Sequence, residues 1–107
     1  ETTVVATRCE FANSAYGAYV IGSLTSAKFN NCVFNDNRVE GIVAYNKATI
    51  HLHGEGTASL SNRGNGIFAS GSAKVIIHLP SHHNTSYNNG GQDRLTARGG
   101  TITNVED

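Results

Sequence analysis

One pattern recurs three times in this chain at a nearly constant spacing, and it restricts the possible folds more than any other feature. Gly17, Gly41 and Gly66 stand 24 and then 25 residues apart. An asparagine precedes each glycine by four residues, a residue type that tolerates positive φ follows it by five, and a small or apolar residue stands two positions further on. These three columns are Asn13, Asn37 and Asn62; Gly22, Asn46 and Gly71; and Leu24, Ala48 and Ala73. Turn residues in fixed columns at this period predict a solenoid of stacked coils.

Each repeat contains three short stretches in which apolar and polar residues alternate, as they do in half-buried strands. The predicted strands are residues 18–21, 42–45 and 67–70, then 27–29, 49–52 and 74–79, then 9–11, 32–34 and 58–60. Alternation places one set of residues of the first group in the interior: Ala18, Val20, Ile42, Ala44, Ile67 and Ala69. Three strands and three bends per repeat predict a triangular parallel coil.

Helix and β-sandwich are the competing fold classes. No segment carries an apolar stripe of useful length at helical spacing, and Val, Ile, Thr, Phe and Tyr alternate with polar residues instead. An immunoglobulin-like sandwich would also supply short strands and turns. It does not predict the same turn columns at one period, so the solenoid is favoured.

The best-formed repeat resembles a known family. Residues 31–44, Asn-Cys-Val-Phe-Asn-Asp-Asn-(x3)-Gly-Ile-Val-Ala, look like the right-handed parallel β-helix repeat of the pectate-lyase-like superfamily. Residues 9–20 and 58–69 are weaker copies, and the resemblance covers roughly residues 3 to 90. The superfamily includes polysaccharide lyases and hydrolases, alginate epimerases, phage tailspikes and the substrate-binding region of certain F-box proteins. The resemblance therefore implies a fold and favours an extracellular or virion-surface location, but it does not select an activity.

We therefore expect one all-β domain over residues 1–107, a right-handed parallel β-helix of about four coils with three short strands per coil. The repeats fall roughly at residues 3–26, 27–49, 50–73 and 74–90, followed by a C-terminal capping tail over residues 91–107. Asn88 is a candidate for the asparagine column of the fourth repeat. No comparable cap is visible at the N-terminal end, where unpaired strand edges and apolar core invite association.

The charge balance excludes several partners. Eight basic and eight acidic residues cancel, so no global field attracts nucleic acid or an anionic membrane surface. The chain contains no apolar run long enough to span a membrane. We expect neither nucleic acid nor membrane as a partner.

Two cysteines, Cys9 and Cys32, lie about one repeat apart in the same Cys-x-Phe context. We interpret them as small buried residues of one internal column. A disulfide is the alternative, because stacked neighbours are about 4.8 Å apart. It is disfavoured because side chains within one column run parallel and do not face each other.

The outward residues of the first strand group form the candidate binding face. If Ala18 and its equivalents point inward, two neighbouring outward columns contain three aromatic rings: Tyr19, Val43 and Phe68, and Ile21, Tyr45 and Ser70. Aromatic rings suit both sugar faces and protein interfaces. The alternative is routine packing, in which a loop or a neighbouring chain covers the face.

Histidines form a second candidate. His51 and His53 share a strand face, and His78 is predicted in the column of His53 one coil later. Three imidazoles on adjacent strands could converge on zinc. Solvated histidines stacked on an outer face are the favoured interpretation, so no metal and no cofactor are expected.

Catalytic residues are not found. Glycoside hydrolysis needs two carboxylates at a defined separation, but the acidic residues Glu1, Glu10, Asp36, Glu40, Glu55, Asp93, Glu106 and Asp107 share no column. An Asp-Pro-His motif of the alginate epimerase type is missing. A threonine array of the ice-binding kind begins with Thr25 and Thr49, but Lys74 interrupts it.

The predicted function is that of a non-catalytic structural or binding module that recognises a carbohydrate or protein partner through its outer faces. Self-association is expected through the open coil ends or the outer apolar face. The alternative is a fragment of a polysaccharide-active β-helical enzyme, a lyase, hydrolase or epimerase, whose catalytic residues lie elsewhere.

Overall fold

The protein is a parallel β-solenoid of about four turns. The structure, a computed structural model, describes residues 1–105; Glu106 and Asp107, at the end of the predicted tail, lie outside the described residues. Residues 1–105 contain strands but no helix, so they include no helix that could span a membrane. The predicted all-β coil with three short strands per turn is confirmed.

The strands form three parallel sheets, each receiving one strand from every coil. Sheet 1 consists of β1 (Thr2–Thr7), β4 (Thr25–Asn30), β7 (Thr49–His53), β10 (Lys74–His78) and β13 (Thr101–Asn104). Sheet 2 consists of β2 (Glu10–Ala12), β5 (Val33–Asn35), β8 (Ala58–Leu60) and β11 (Ser86–Tyr87). Sheet 3 consists of β3 (Tyr16–Ile21), β6 (Glu40–Tyr45), β9 (Ile67–Ser70) and β12 (Arg94–Ala97).

The core is a set of apolar columns enclosed by the three sheets. Alternate residues of each strand point inward, and those of the central coils are fully buried, including Ile42, Ile50, Leu52, Ile67 and Ile77. The predicted interior column of sheet 3 is confirmed, since its members belong to this core or pack against it.

Aromatic packing fills the core of the first two coils. The rings of Phe11 and Phe34 stack at 5.1 Å, and Phe29 meets Phe34 edge-on at 5.0 Å. These three rings link sheets 1 and 2 across the first two coils.

An asparagine ladder runs along the bend between sheets 2 and 3. The amide Nδ2 of Asn37 donates to Oδ1 of Asn62 at 2.9 Å, and Nδ2 of Asn62 donates to Oδ1 of Asn89 at 2.9 Å. Each carbonyl also accepts from the backbone N–H of the preceding rung, Asn37 from Ser14, Asn62 from Asn37 and Asn89 from Asn62. The ladder satisfies backbone groups that the bend leaves outside the sheets.

The prediction for the first rung was wrong. Ser14, not Asn13, stands at that level of the ladder, because the first coil has one residue fewer between the ladder and the glycine column. Asn13 is exposed and occupies the left-handed column one residue earlier, with a φ of 60°. In the fourth coil, likewise, Asn89 joins the ladder, whereas Asn88 has a φ of 56° and belongs to the left-handed column.

The first coil has one residue more than the second at the bend after β3, which compensates for the residue missing before Gly17. The predicted left-handed turn is confirmed at Gly22, Asn46 and Gly71, all of which have positive φ. In the first coil, however, Ser26 pairs with Thr49. The residue that corresponds to Ala48 is therefore Thr25, not Leu24. Leu24 is 68% exposed and does not share the buried column of Ala48 and Ala73, and Thr25 and Thr49 do not share a column either.

The two cysteines differ in burial. Cys32 is fully buried as predicted, but Cys9 is exposed, which corrects the expectation of a closed internal column. Both thiols are free. The cause is position, since Cys9 belongs to the first coil and Cys32 is enclosed by coils on both sides.

The two ends of the solenoid differ. Within the predicted tail, β12 and β13 pair in parallel with β9 and β10, so these residues continue the stack. At the other end, β1, β2 and β3 are the edge strands of the three sheets.

Candidate functional site

The outer face of sheet 3 carries the predicted apolar columns in register. Tyr19 pairs with Val43, which pairs with Phe68, and Ile21 pairs with Tyr45. Val43 is buried, and the other four are half-buried or exposed. The structure therefore brings together all five residues of the predicted binding face.

Exposure along this face is uneven. Tyr19 and Ile21 in the first coil are 48% and 47% exposed, whereas Val43 in the second coil is only 3% exposed. Phe68 and Tyr45 are half-buried. The accessible apolar surface is therefore concentrated at β3.

The end of the coil adjoins the same strand. An open groove of about 530 Å³ is lined by inward-facing residues of the first two coils, among them Val4, Phe11, Val20 and Phe29, and also by Tyr19 and Ile21. Val4 points toward the core yet is 50% exposed, because no other coil of residues 1–105 covers it. The apolar face and the open end thus form one continuous surface, which we call the first-coil surface.

Three histidines lie together on the outer face of sheet 1. His53 pairs in register with His78, and His51 pairs with Ile76 and Lys28. The residues that alternate with these histidines, Ile50 and Leu52 in β7 and Val75 and Ile77 in β10, are fully buried. The imidazoles therefore point outward by strand alternation, as the sequence predicted.

The three rings are in close contact. Nδ1 of His51 lies 2.9 Å from Nε2 of His78, and the rings of His53 and His78 stack at 4.0 Å with an 8° angle. One ligand nitrogen from each ring lies within 4.8 Å of the other two, and all three side chains are half-buried. We call this group the histidine cluster.

The surroundings of His51 disfavour its charged form. Partial burial lowers the pKa of His51, and the charges of His78, His53 and Lys28 lower it further. The imidazole of His51 is therefore neutral near neutral pH, when it can accept a proton or a metal ion.

A pH dependence of stability follows from this shift. Below the ordinary histidine pKa the unfolded chain binds a proton at His51 that the folded chain does not, so the free energy of unfolding falls as the pH is lowered. We expect stability to decrease between about pH 7 and pH 5, and the His51→Gln variant to show a weaker decrease. Urea unfolding across this range measures the difference, with the exposed His82→Gln as the control. Equal pH dependence in the wild type and His51→Gln would contradict the assignment.

A further depression was not anticipated from the sequence. Its volume is about 300 Å³, and it lies at the bend beside the asparagine ladder, lined by Asp36, Arg38, Ser61 and Arg63 together with Asn37. The sequence contains a signal for this depression, because Arg38 and Arg63 each directly follow an asparagine of the ladder.

Comparison of the chain with models of protein families, with curated proteins and with solved structures gives no match. The parallel solenoid therefore stands on the geometry of the chain itself, and membership of the pectate-lyase-like superfamily stays a prediction.

Proposed function

We propose that the protein is a non-catalytic binding module whose first-coil surface is covered by a protein partner, in the first instance a second copy of the chain. One observation carries the proposal. Of the eight large hydrophobic side chains exposed in residues 1–105, six lie between residues 4 and 24: Val4, Val5, Tyr16, Tyr19, Ile21 and Leu24. Three of the six, Val4, Tyr19 and Ile21, line the open groove, and exposed apolar side chains that cluster mark contact surfaces.

The strand edges favour a protein over a small ligand. Within residues 1–105 no strand pairs with the outer edges of β1, β2 and β3, and these edges carry backbone donors and acceptors next to the open apolar groove. Another β-edge satisfies such groups while its side chains cover the groove. Two copies that meet through this surface form a closed two-fold dimer, since each copy presents the same patch to the other.

The arrangement of acidic residues supports a non-catalytic role. In the strands, Glu10 pairs with Val33 and Glu40 pairs with Tyr16, so neither has an acidic neighbour in register. The register of Glu10 and Glu40 therefore places neither beside a second carboxylate of the kind that glycoside hydrolysis needs.

Carbohydrate is the second candidate ligand, favoured by one pair of rings. Tyr16 and Tyr19 are 38% and 48% exposed and meet edge-on at 5.1 Å. Because the chain contains no tryptophan, tyrosine fluorescence during titration with pectin or alginate oligosaccharides would report binding. Loss of the change in Tyr19→Ala would assign it to this pair rather than to Tyr45 or Tyr87. We also propose that the coils are those of a right-handed β-helix of the pectate-lyase-like kind, on the strength of residues 31–44.

Sedimentation velocity tests the protein-partner proposal. We expect the wild-type chain to dimerise as its concentration rises, and the Ile21→Lys variant to remain monomeric because a charge then lies in the apolar contact. Val39, which is 40% exposed outside the first coil, supplies the control variant Val39→Lys, which should dimerise like the wild type. A wild-type chain that stays monomeric at high concentration, or dimers that persist in Ile21→Lys, would refute the self-association proposed here.

A further inference from the structure

We propose that the histidine cluster of His51, His53 and His78 binds one divalent transition-metal ion, Zn²⁺ above all. The proposal is independent of the first-coil surface, since the cluster lies on sheet 1 in the third and fourth coils. It rests on the placement of three imidazole nitrogens by two rigid, paired strands.

The backbone places the three imidazoles on neighbouring positions of one sheet face. β7 and β10 pair over their whole length, and the fully buried Leu52 and Ile77 fix the facing of both strands. A ligand set on neighbouring strands of a packed sheet is held more closely than one on loops. Two of the three ligands, His53 and His78, are direct partners in this register.

The distances are close to those of a zinc site. Zinc–nitrogen bonds of about 2.0–2.1 Å in a tetrahedral site put ligand nitrogens roughly 3.4 Å apart. His51 Nδ1 and His78 Nε2 are already 2.9 Å apart, and the largest separation in the cluster is below 4.8 Å. The rings of His53 and His78 lie face to face, 8° from parallel, so no ion can lie in both ring planes as they stand. Rotation of the half-buried His53 imidazole about its side-chain bonds turns its nitrogen toward the ion and brings it to the other two ligands.

The chemistry of the set selects the kind of ion. Three neutral nitrogens without a carboxylate suit Zn²⁺, Cu²⁺ or Ni²⁺ and do not suit Mg²⁺ or Ca²⁺, which prefer oxygen. The hydrogen bond between His51 and His78 requires one proton between two nitrogens. The ion takes the place of this proton, and the donor imidazole stays neutral by carrying its N–H on its other ring nitrogen. A water molecule completes the tetrahedral site on its exposed side.

Other histidines and charges define the limits of the site. His83 is directed elsewhere, with Nδ1 at 3.1 Å from the Thr85 hydroxyl and Nε2 at 3.0 Å from the Glu55 carbonyl. Lys28 lies beside His51 in register and is exposed. Its positive charge opposes a cation at the cluster, so the affinity of the wild type is below what the three imidazoles alone would give.

Isothermal titration calorimetry with Zn²⁺ alone tests the proposal on the full chain. We expect one ion per chain, an affinity at least about tenfold weaker in His78→Ala, and an affinity severalfold higher in Lys28→Gln. The exposed His82→Ala should bind like the wild type. No saturable binding to the wild type, or equal affinity in the wild type and His78→Ala, would overturn the site.

A second measurement does not depend on variants that fold. X-ray absorption of the zinc-loaded wild type should show imidazole ligands at about 2.0 Å, with three such ligands per ion. A shell made of oxygen ligands only would show that zinc binds elsewhere. Because dimerisation is measured separately, failure of the metal site leaves the proposed function untouched, and the reverse also holds.

Discussion

Replacing Asn62 by alanine is expected to lower the free energy of unfolding by roughly 3–5 kcal/mol. Asn62 is 2% exposed, and its Oδ1 accepts from both nitrogens of Asn37. Its Nδ2 lies within hydrogen-bond distance of the Phe34 carbonyl, the Ser59 hydroxyl and Asn89. Truncation leaves several buried groups without partners, and each costs about 1–3 kcal/mol.

Urea unfolding measures this loss, and Asn13 provides the comparison. Asn13 stands at the same distance from its glycine in sequence, but it is exposed and has a φ of 60°. Glycine adopts this conformation readily, so Asn13→Gly should change stability by no more than about 0.5 kcal/mol. A loss at Asn13 equal to that at Asn62 would mean that the ladder begins at Asn13 after all.

Gly41→Ala is expected to be nearly as damaging, with a loss of about 3 kcal/mol from overpacking. An added Cβ would lie against the Ser59 hydroxyl, 2.6 Å from Nδ2 of Asn62 and 2.8 Å from the Gly66 carbonyl. The glycine column is thus the space that the neighbouring rung of the ladder needs. Substitution of Gly41 pushes the Asn62 amide out of position and so breaks the hydrogen bonds that Asn62→Ala removes.

A double-mutant cycle separates this explanation from a generic glycine effect. Because the two residues act on the same contact, the Gly41→Ala/Asn62→Ala chain should lose less stability than the sum of the single variants. Gly56→Ala serves as the control, since the atoms nearest to its Cβ would be those of the Asn31 side chain, with Oδ1 at 3.1 Å. Strict additivity in the cycle would contradict the shared contact.

The sequence predicted the repeating fold because its signals are local and repeated. Turn residues such as Gly22 and Asn46 tolerate positive φ, which both adopt, and alternation decides which residues of β6 and β9 face the core. His53 and His78 were placed in one column by the same alternation and period. These inferences needed no knowledge of what lies beside each coil.

The errors came from counting residues at a fixed period. One residue fewer before Gly17 and one more after Gly22 leave the length of the coil almost unchanged while displacing Asn13 and Leu24 from the predicted columns. The predicted burial of Cys9 was wrong for another reason, because the burial of this side chain depends on whether a further coil lies above Cys9. Distances between the imidazoles depend on side-chain rotation, which spacing does not encode.

The rungs of the ladder are 23, 25 and 27 residues apart in sequence, yet the sheets stay in register. Each bend therefore absorbs a difference in length without passing it to the next strand. Corners of this solenoid are places where segments can be inserted or deleted while the flat faces keep their patterns. Divergence between relatives, and the grafting of new loops by protein engineers, should accordingly be easiest at these corners.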